Sequence, residues 1–138
     1  MMYSDLDSHV YALASMCAQK LGSNEIASAY AEKAVNADKE GHNENPRNRI
    51  LYCTTLANLG MQNLASNDFQ KAFVLFSGAI LNYQSVQTKE TNNISNEDVL
   101  KMYLAGRYAA FRLGKTNESD QWLRAAKAVQ GIHAIQSK

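Results

Sequence analysis

Small residues recur through this chain at one spacing, and that recurrence constrains its fold more than any other feature. Ala27, Ala72 and Ser119 stand 45 and then 47 residues apart, and Ala34, Ala79 and Ala126 repeat the same two offsets. Small side chains let two helices approach at the short end of the usual interaxial range of about 8–10 Å. A fixed internal period of this order implies a stack of like units, and three units are about the fewest that bury a continuous core.

Apolar residues at three-and-four spacing predict six helices arranged as three hairpins, and no strand-like alternation competes. The first helix is expected over residues 4–21, with Ser4 and Asp7 as a capping box and Val10, Leu13, Ala14 and Cys17 as its buried face. Gly22-Ser23-Asn24 breaks it, since glycine suits the left-handed end of a helix and Ser23 or Asn24 can cap the next. A second helix over residues 25–39 carries Ile26, Ala27, Tyr30, Ala31, Ala34 and Val35. Pro46, the only proline, opens a third over residues 46–65 that buries Ile50, Cys53, Leu56, Leu59 and Gly60. Asn67 with Gln70 is expected to cap a fourth, which carries Phe69, Ala72, Phe73, Phe76, Ala79, Ile80 and Tyr83 and fades near residues 86–87. Residues 88–96 read as a polar linker. Ser95 with Asp98 opens a fifth helix through Val99, Tyr103, Gly106, Ala110 and Leu113. The break at Gly114 to Asn117 leads into a sixth from Asn117 onward, burying Trp122, Leu123, Ala126 and Val129, with a flaw over Gly131 to Ile135.

At 138 residues, 46% hydrophobic and 20% charged, the chain fits one domain able to fold without metals or disulfides. Its 14 Lys and Arg against 13 Asp and Glu give no field to hold phosphate backbones or anionic lipids, so neither nucleic acid nor a membrane is an expected partner. No run of about 18 apolar residues occurs. Cys17 and Cys53, the two cysteines, sit in apolar periodic segments and read as small hydrophobes rather than as a disulfide framework. The start Met1-Met2-Tyr3-Ser4-Asp5 lacks the pattern of a signal peptide, and a cytoplasmic location is expected.

A search for catalytic chemistry comes up empty. His9, His42 and His133 have no partner ligand at helical spacing, and Glu40, His42 and Glu44 fit a solvated loop better than a metal site. There is no Cys-x-x-Cys pair, no Gly-rich phosphate cradle and no nucleophile elbow. The pair Glu97-Asp98 falls at a helix start, where the helix dipole accounts for it. No enzyme activity, cofactor or metal is therefore expected.

The middle hairpin resembles the tetratricopeptide repeat through Leu59-Gly60, Ala72, Phe76 and Ala79, with Asp68-Phe69 as the acid-aromatic step after the turn. The first unit is similar through Gly22, Ala27 and the run Tyr30 to Ala34, with Tyr11 in the family's tryptophan place; the third is similar through Tyr103, Leu113-Gly114, Leu123 and Ala126. The chain departs from the family in lacking the closing prolines, in its longer period and in placing Arg107 where a small residue packs closely. That arginine implies either a stem that snorkels outward or a rotated fifth helix. The resemblance covers residues 7–130 and implies an all-α fold: a single domain, 1–138, of three antiparallel hairpins stacked as a right-handed superhelical solenoid. Its units are residues 7–40, 50–86 and 97–130, with a C-terminal tail over 131–138.

The resemblance also implies that the first helix of each hairpin lines a concave groove that receives a peptide or helix. Its principal residues would be Leu13, Met16 and Lys20 from the first unit, Asn58, Met61 and Leu64 from the second, and Lys101, Leu104, Tyr108, Phe111 and Arg112 from the third. His9, Ala12, Gln19, Thr54, Ala57, Ala65 and Ala105 complete the lining, which contains no carboxylate. Asn58 and Lys101 match two places of the clamp that holds chaperone C-termini in some members, but Ala12, Met16 and Ala105 occupy the other three, which argues against that use. The expected function is a protein-interaction module or adaptor for an amphipathic helix or extended segment, with Lys20, Lys101 and Arg112 favouring acids beside the partner's apolar anchors. The alternatives are a sensory or regulatory helical-repeat domain of a larger bacterial regulator, or a self-associating scaffold in which a homodimer fills the groove.

Overall fold

All three hairpins close in the same way, and one backbone dihedral explains it. The computed structural model of the chain describes residues 2–37, 46–85 and 94–136, with side chains for 10–36, 52–84 and 94–131. In it Gly22, Asn67 and Gly114 have φ of 80°, 62° and 74°, and these residues are spaced by the same 45 and 47 as the small residues. A Cβ in this left-handed region costs an ordinary residue about 1–2 kcal/mol, which glycine escapes and asparagine tolerates. The turn lets the amides of Gly22 and Ser23 reach the carbonyls of Gln19 and Ala18 at 3.0 and 2.9 Å. Asn67 and Asp68 reach Leu64 and Asn63 at 3.0 and 2.9 Å, and Gly114 and Lys115 reach Phe111 and Ala110 at 3.1 and 2.8 Å. These paired bonds satisfy the carbonyls that a helix end leaves open.

The next helix starts at once. The carbonyls of Ser23, Asp68 and Lys115 accept from the amides of Ala27, Ala72 and Ser119 at 2.9, 3.0 and 3.0 Å. The recurring small residues therefore begin the ladder of each second helix, and all three are buried.

The six helices are α1 (Met2–Lys20), α2 (Asn24–Ala37), α3 (Pro46–Ala65), α4 (Phe69–Ser85), α5 (Asn96–Arg112) and α6 (Thr116–Gln136). Among the described residues there is no strand. Sequence and structure agree to the residue for α3. At the other ends the differences have physical causes. Helix α1 begins at Met2, so Ser4 lies inside it and is not its cap. Asn67 ends α3's turn in the left-handed conformation, and the cap of α4 is Asp68, whose Oδ1 accepts from the Lys71 amide at 3.2 Å. Ser95 caps α5 as expected, its Oγ accepting from the Asp98 amide at 3.1 Å. Helix α6 runs through Gly131 to Gln136, so most of the expected tail is helical. Of the expected linker, residues 88–93 lie outside the described residues.

Consecutive helices pair as three hairpins, α1 with α2, α3 with α4 and α5 with α6. The first helices also touch one another in order, α1 with α3 and α3 with α5, while α2 packs on α3 and α4, and α4 on α5. Phe73 of α4 meets Trp122 of α6 with ring centroids 5.6 Å apart. The first helices thus touch one another in chain order, and each hairpin packs on the next.

Phe76, fully buried, is the hub of that core. A Cβ on Gly60 would stand 2.9 Å from the Phe76 ring, and one on Gly106 would stand 3.2 Å from Phe76 Cβ and from Trp122. The two glycines let α3 and α5 close on the same side chain. Gly78 does the same for α2 and α4, since a Cβ there would stand 2.4 Å from Val35 Cγ2.

The buried face of α1 differs from expectation. Ala12, Ser15 and Ala18 are buried, while Val10, Leu13 and Cys17 are exposed. Both stripes have helical spacing, and the smaller one wins because α2 presents Ala27, Ala31 and Ala34, all fully buried, against which only small residues allow close approach. Ser15 fixes the contact, donating from Oγ to the Ala27 carbonyl at 2.8 Å.

Candidate partner-binding face

Packing the small stripes inward leaves larger apolar side chains on the outer surface of the first helices. Nine large apolar residues are exposed among the described ones, and Val10, Leu13, Met61, Leu104, Tyr108 and Phe111 all belong to α1, α3 or α5. Phe111 is 61% exposed, Leu13 48%, Met61 45%, and Leu104 and Tyr108 42% each. The three helices that carry these residues touch in chain order.

Between α3 and α5 this side is indented. A cavity of about 240 Å³ is lined by Cys53, Thr54, Ala57, Asn58, Met61, Phe76, Ile94, Asp98, Lys101 and Met102. Its wall is mostly apolar, and its volume suits one large aliphatic or aromatic side chain. Three of the expected site residues, Asn58, Met61 and Lys101, meet here. At the floor the Cys53 thiol donates to Met102 Sδ at 3.8 Å. Burial pushes that thiol's pKa up to about 12, which keeps it protonated and unreactive.

The remaining expected residues divide. Lys20 is exposed, and so are Thr54 and Ala65 of the wider lining. Met16, Leu64 and Ala57 are half-buried and packed against the core, so they support the face more than they present it. Ala12 and Ala105 are core residues, at 4% and 9% exposure, and do not line a groove. The side chain of His9 lies outside the described residues, as do the loop residues Glu40, His42 and Glu44. Among the described residues no group of three His, Cys, Asp or Glu is placed to hold a metal ion, and no helix is long and apolar enough to cross a membrane.

Charge is arranged differently from the expectation. The lining does contain a carboxylate, because Asp98 reaches the cavity from the first turn of α5. Lys101 Nζ lies 3.6 Å from Glu97 Oε1, one helical turn away, so its charge is already partly offset. At the other end of α5 lies a positive charge with no carboxylate partner among the described residues. Arg112 is stacked over Phe69 of α4 at 4.3 Å from the ring centroid and donates from Nη1 to the Tyr108 hydroxyl at 3.0 Å. Phe69 and Tyr108 meet edge to face at 6.0 Å.

Arg107 does not occupy the close-packed place that the resemblance assigned to it. The close-packed residue of α5 is Gly106, one residue earlier, against Phe76 and Trp122. Arg107 is half-buried and extends along the helix until its guanidinium lies 5.6 Å from the Phe111 ring, while its buried Nε has no acceptor. Sequence reasoning treated this residue as a packing irregularity. The signal it missed was Phe111 four residues on, the spacing that brings two side chains together on a helix.

No family model matches the chain, and no curated protein or solved structure does either.

Proposed function

We propose that the chain is a protein-interaction module of tetratricopeptide type, a right-handed stack of three hairpins whose first helices receive an apolar segment of a partner. The observation that carries this reading is the concentration of exposed large apolar residues on α1, α3 and α5, beside a cavity of about 240 Å³. Large apolar residues left exposed together on a folded protein favour an interaction site. Met61 and Met102 give it an adaptable wall, and the aromatic rings of α5 give it rigid contact area. The identical closures of the hairpins and the in-order contacts of the first helices support the stacked arrangement.

The test is selection from a random peptide display library on the immobilised full chain. The native protein should enrich peptides with apolar anchors, and Leu104→Asp/Phe111→Asp should enrich none while keeping its helical circular dichroism and its melting temperature. Equal enrichment by the double variant would rule the face out.

A further inference from the structure

The outward surface of α5 is more specific than an apolar patch. At about 100° per residue, Leu104, Tyr108 and Phe111 form one stripe, with Arg107 about 60° to one side of Leu104 and Arg112 about 80° to the other. Each arginine folds onto an aromatic ring of the surface, Arg107 onto Phe111 and Arg112 onto Phe69 and Tyr108. Among the described residues neither guanidinium is paired with a carboxylate.

We infer that this stripe takes an acidic and apolar peptide segment, its hydrophobic anchors on Leu104, Tyr108 and Phe111 and its carboxylates on Arg112 and Arg107. The inference rests on the reading of this face as a partner-binding surface and names the partner's chemistry. Stacking holds the Arg112 guanidinium flat, and the Tyr108 hydroxyl takes one of its N–H groups. The rest of the planar fork is left to meet a carboxylate edge on, with two parallel bonds. Asp68, next to Phe69 in the chain, accepts from the Lys71 amide, and Glu97 lies beside Lys101 at the far end of the helix. The charges on the stripe itself are the two guanidinium groups, which have no carboxylate partner among the described residues, and a partner acid completes them. The sequence assigns this role to Lys20, Lys101 and Arg112; the inference places it on Arg112 and Arg107.

The experiment uses the same random peptide library on the full chain and reads composition. Enriched peptides should carry Asp or Glu beside the apolar anchors, and their affinity should fall with rising salt. Binding of a synthesised representative should weaken about tenfold or more in Arg112→Gln, as expected for a lost charge-assisted pair. Arg112→Lys should recover little of it, because an ammonium has no planar fork to stack. Arg112 is exposed, so its variants should melt as the native protein does. Enrichment of apolar peptides with no acidic bias, or unchanged affinity in Arg112→Gln, would overturn the inference and leave the binding face standing. Failure to enrich any peptide would overturn the binding face itself. A dimer in light scattering that Phe111→Asp converts to a monomer would overturn the inference by showing a second copy on the stripe. A single-stranded oligonucleotide that displaces the selected peptides would also overturn it.

Discussion

Replacing Gly78 by alanine tests the tightest of the approaches made at a glycine among the described residues. The added Cβ would stand 2.4 Å from Val35 Cγ2 and 3.1 Å from Leu56 Cδ1, whereas carbon atoms in contact prefer about 3.5–4.0 Å. Val35 cannot turn aside cheaply, because a β-branched residue in a helix has one strongly preferred rotamer. Relief requires α2 to move off α4, and overpacking of this kind costs about 1–3 kcal/mol. Alanine also gains about 1 kcal/mol of helix propensity over glycine, which partly masks that cost. Gly131→Ala supplies the control. It makes the same exchange inside α6 with nothing within 4 Å of the new Cβ, so it should stabilise by about 0.5–1 kcal/mol. The propensity terms cancel in the comparison, leaving Gly78→Ala less stable than Gly131→Ala by about 1–3 kcal/mol. Thermal melts should resolve this, at about 3–5 °C per kcal/mol for a chain of this size. On a Val35→Ala background most of the penalty should disappear, leaving the lesser contact with Leu56, a coupling that a double-mutant cycle reads directly. Equal stabilisation by Gly78→Ala and Gly131→Ala in the native background would refute the close approach of α2 and α4.

Three further predictions concern the turns, the thiols and alkaline stability. Asn67→Ala should cost about 1–2 kcal/mol in denaturant melts, because Asn67 holds a φ of 62°, whereas Asn67→Gly should be close to neutral. A thiol reagent should modify exposed Cys17 at once in the native protein and buried Cys53 only after unfolding; rapid modification of both would contradict the placement of Cys53. Burial raises the pKa of Cys53 from 9.0 to about 12, so the unfolded chain loses this proton first and stability should fall as pH rises through that window. The decline from this group is at most about 1.4 kcal/mol per pH unit. Raised Tyr83 and Tyr103 add to it above their ordinary 10.0. The stability of Cys53→Ala should therefore depend less steeply on pH between 9 and 12 than that of the native protein.

The fold was legible because its demands are local and repeated. A hairpin turn needs a residue that tolerates positive φ, and a close helix crossing needs a small one; both requirements leave marks in the sequence at fixed offsets. Gly22 and Gly114 are such marks, and so is Asn67, whose turn role was mistaken for a cap because asparagine serves both purposes. The face of α1 was not legible by the same logic. Val10, Leu13 and Cys17 form as good a helical stripe as Ala12, Ser15 and Ala18 do, and local pattern cannot decide between them. The choice is made by the alanines of α2 across the interface, which is information about a pair of helices rather than one.

Of the proposed binding face only part was legible, and the part that was not is electrostatic. Leu104, Tyr108 and Phe111 are exposed, as the resemblance implied, and their exposure is consistent with helix period once the buried side of α5 is known. Which cation on the face is free to act does not follow from period. Lys101 has Glu97 beside it one turn back, a weak, solvent-exposed pairing that the four-residue spacing predicts. Arg112 is held by Phe69, 43 positions away in the chain, and that contact exists only because α4 begins where α5 ends. A charge paired within its own helix can be read from the sequence. A charge positioned by another helix becomes visible only when the two are packed together. The specificity of this face should therefore depend on the junction of α4 and α5. Removing the Phe69 ring should loosen Arg112 and weaken acidic peptides selectively, although Phe69 lies outside the apolar stripe.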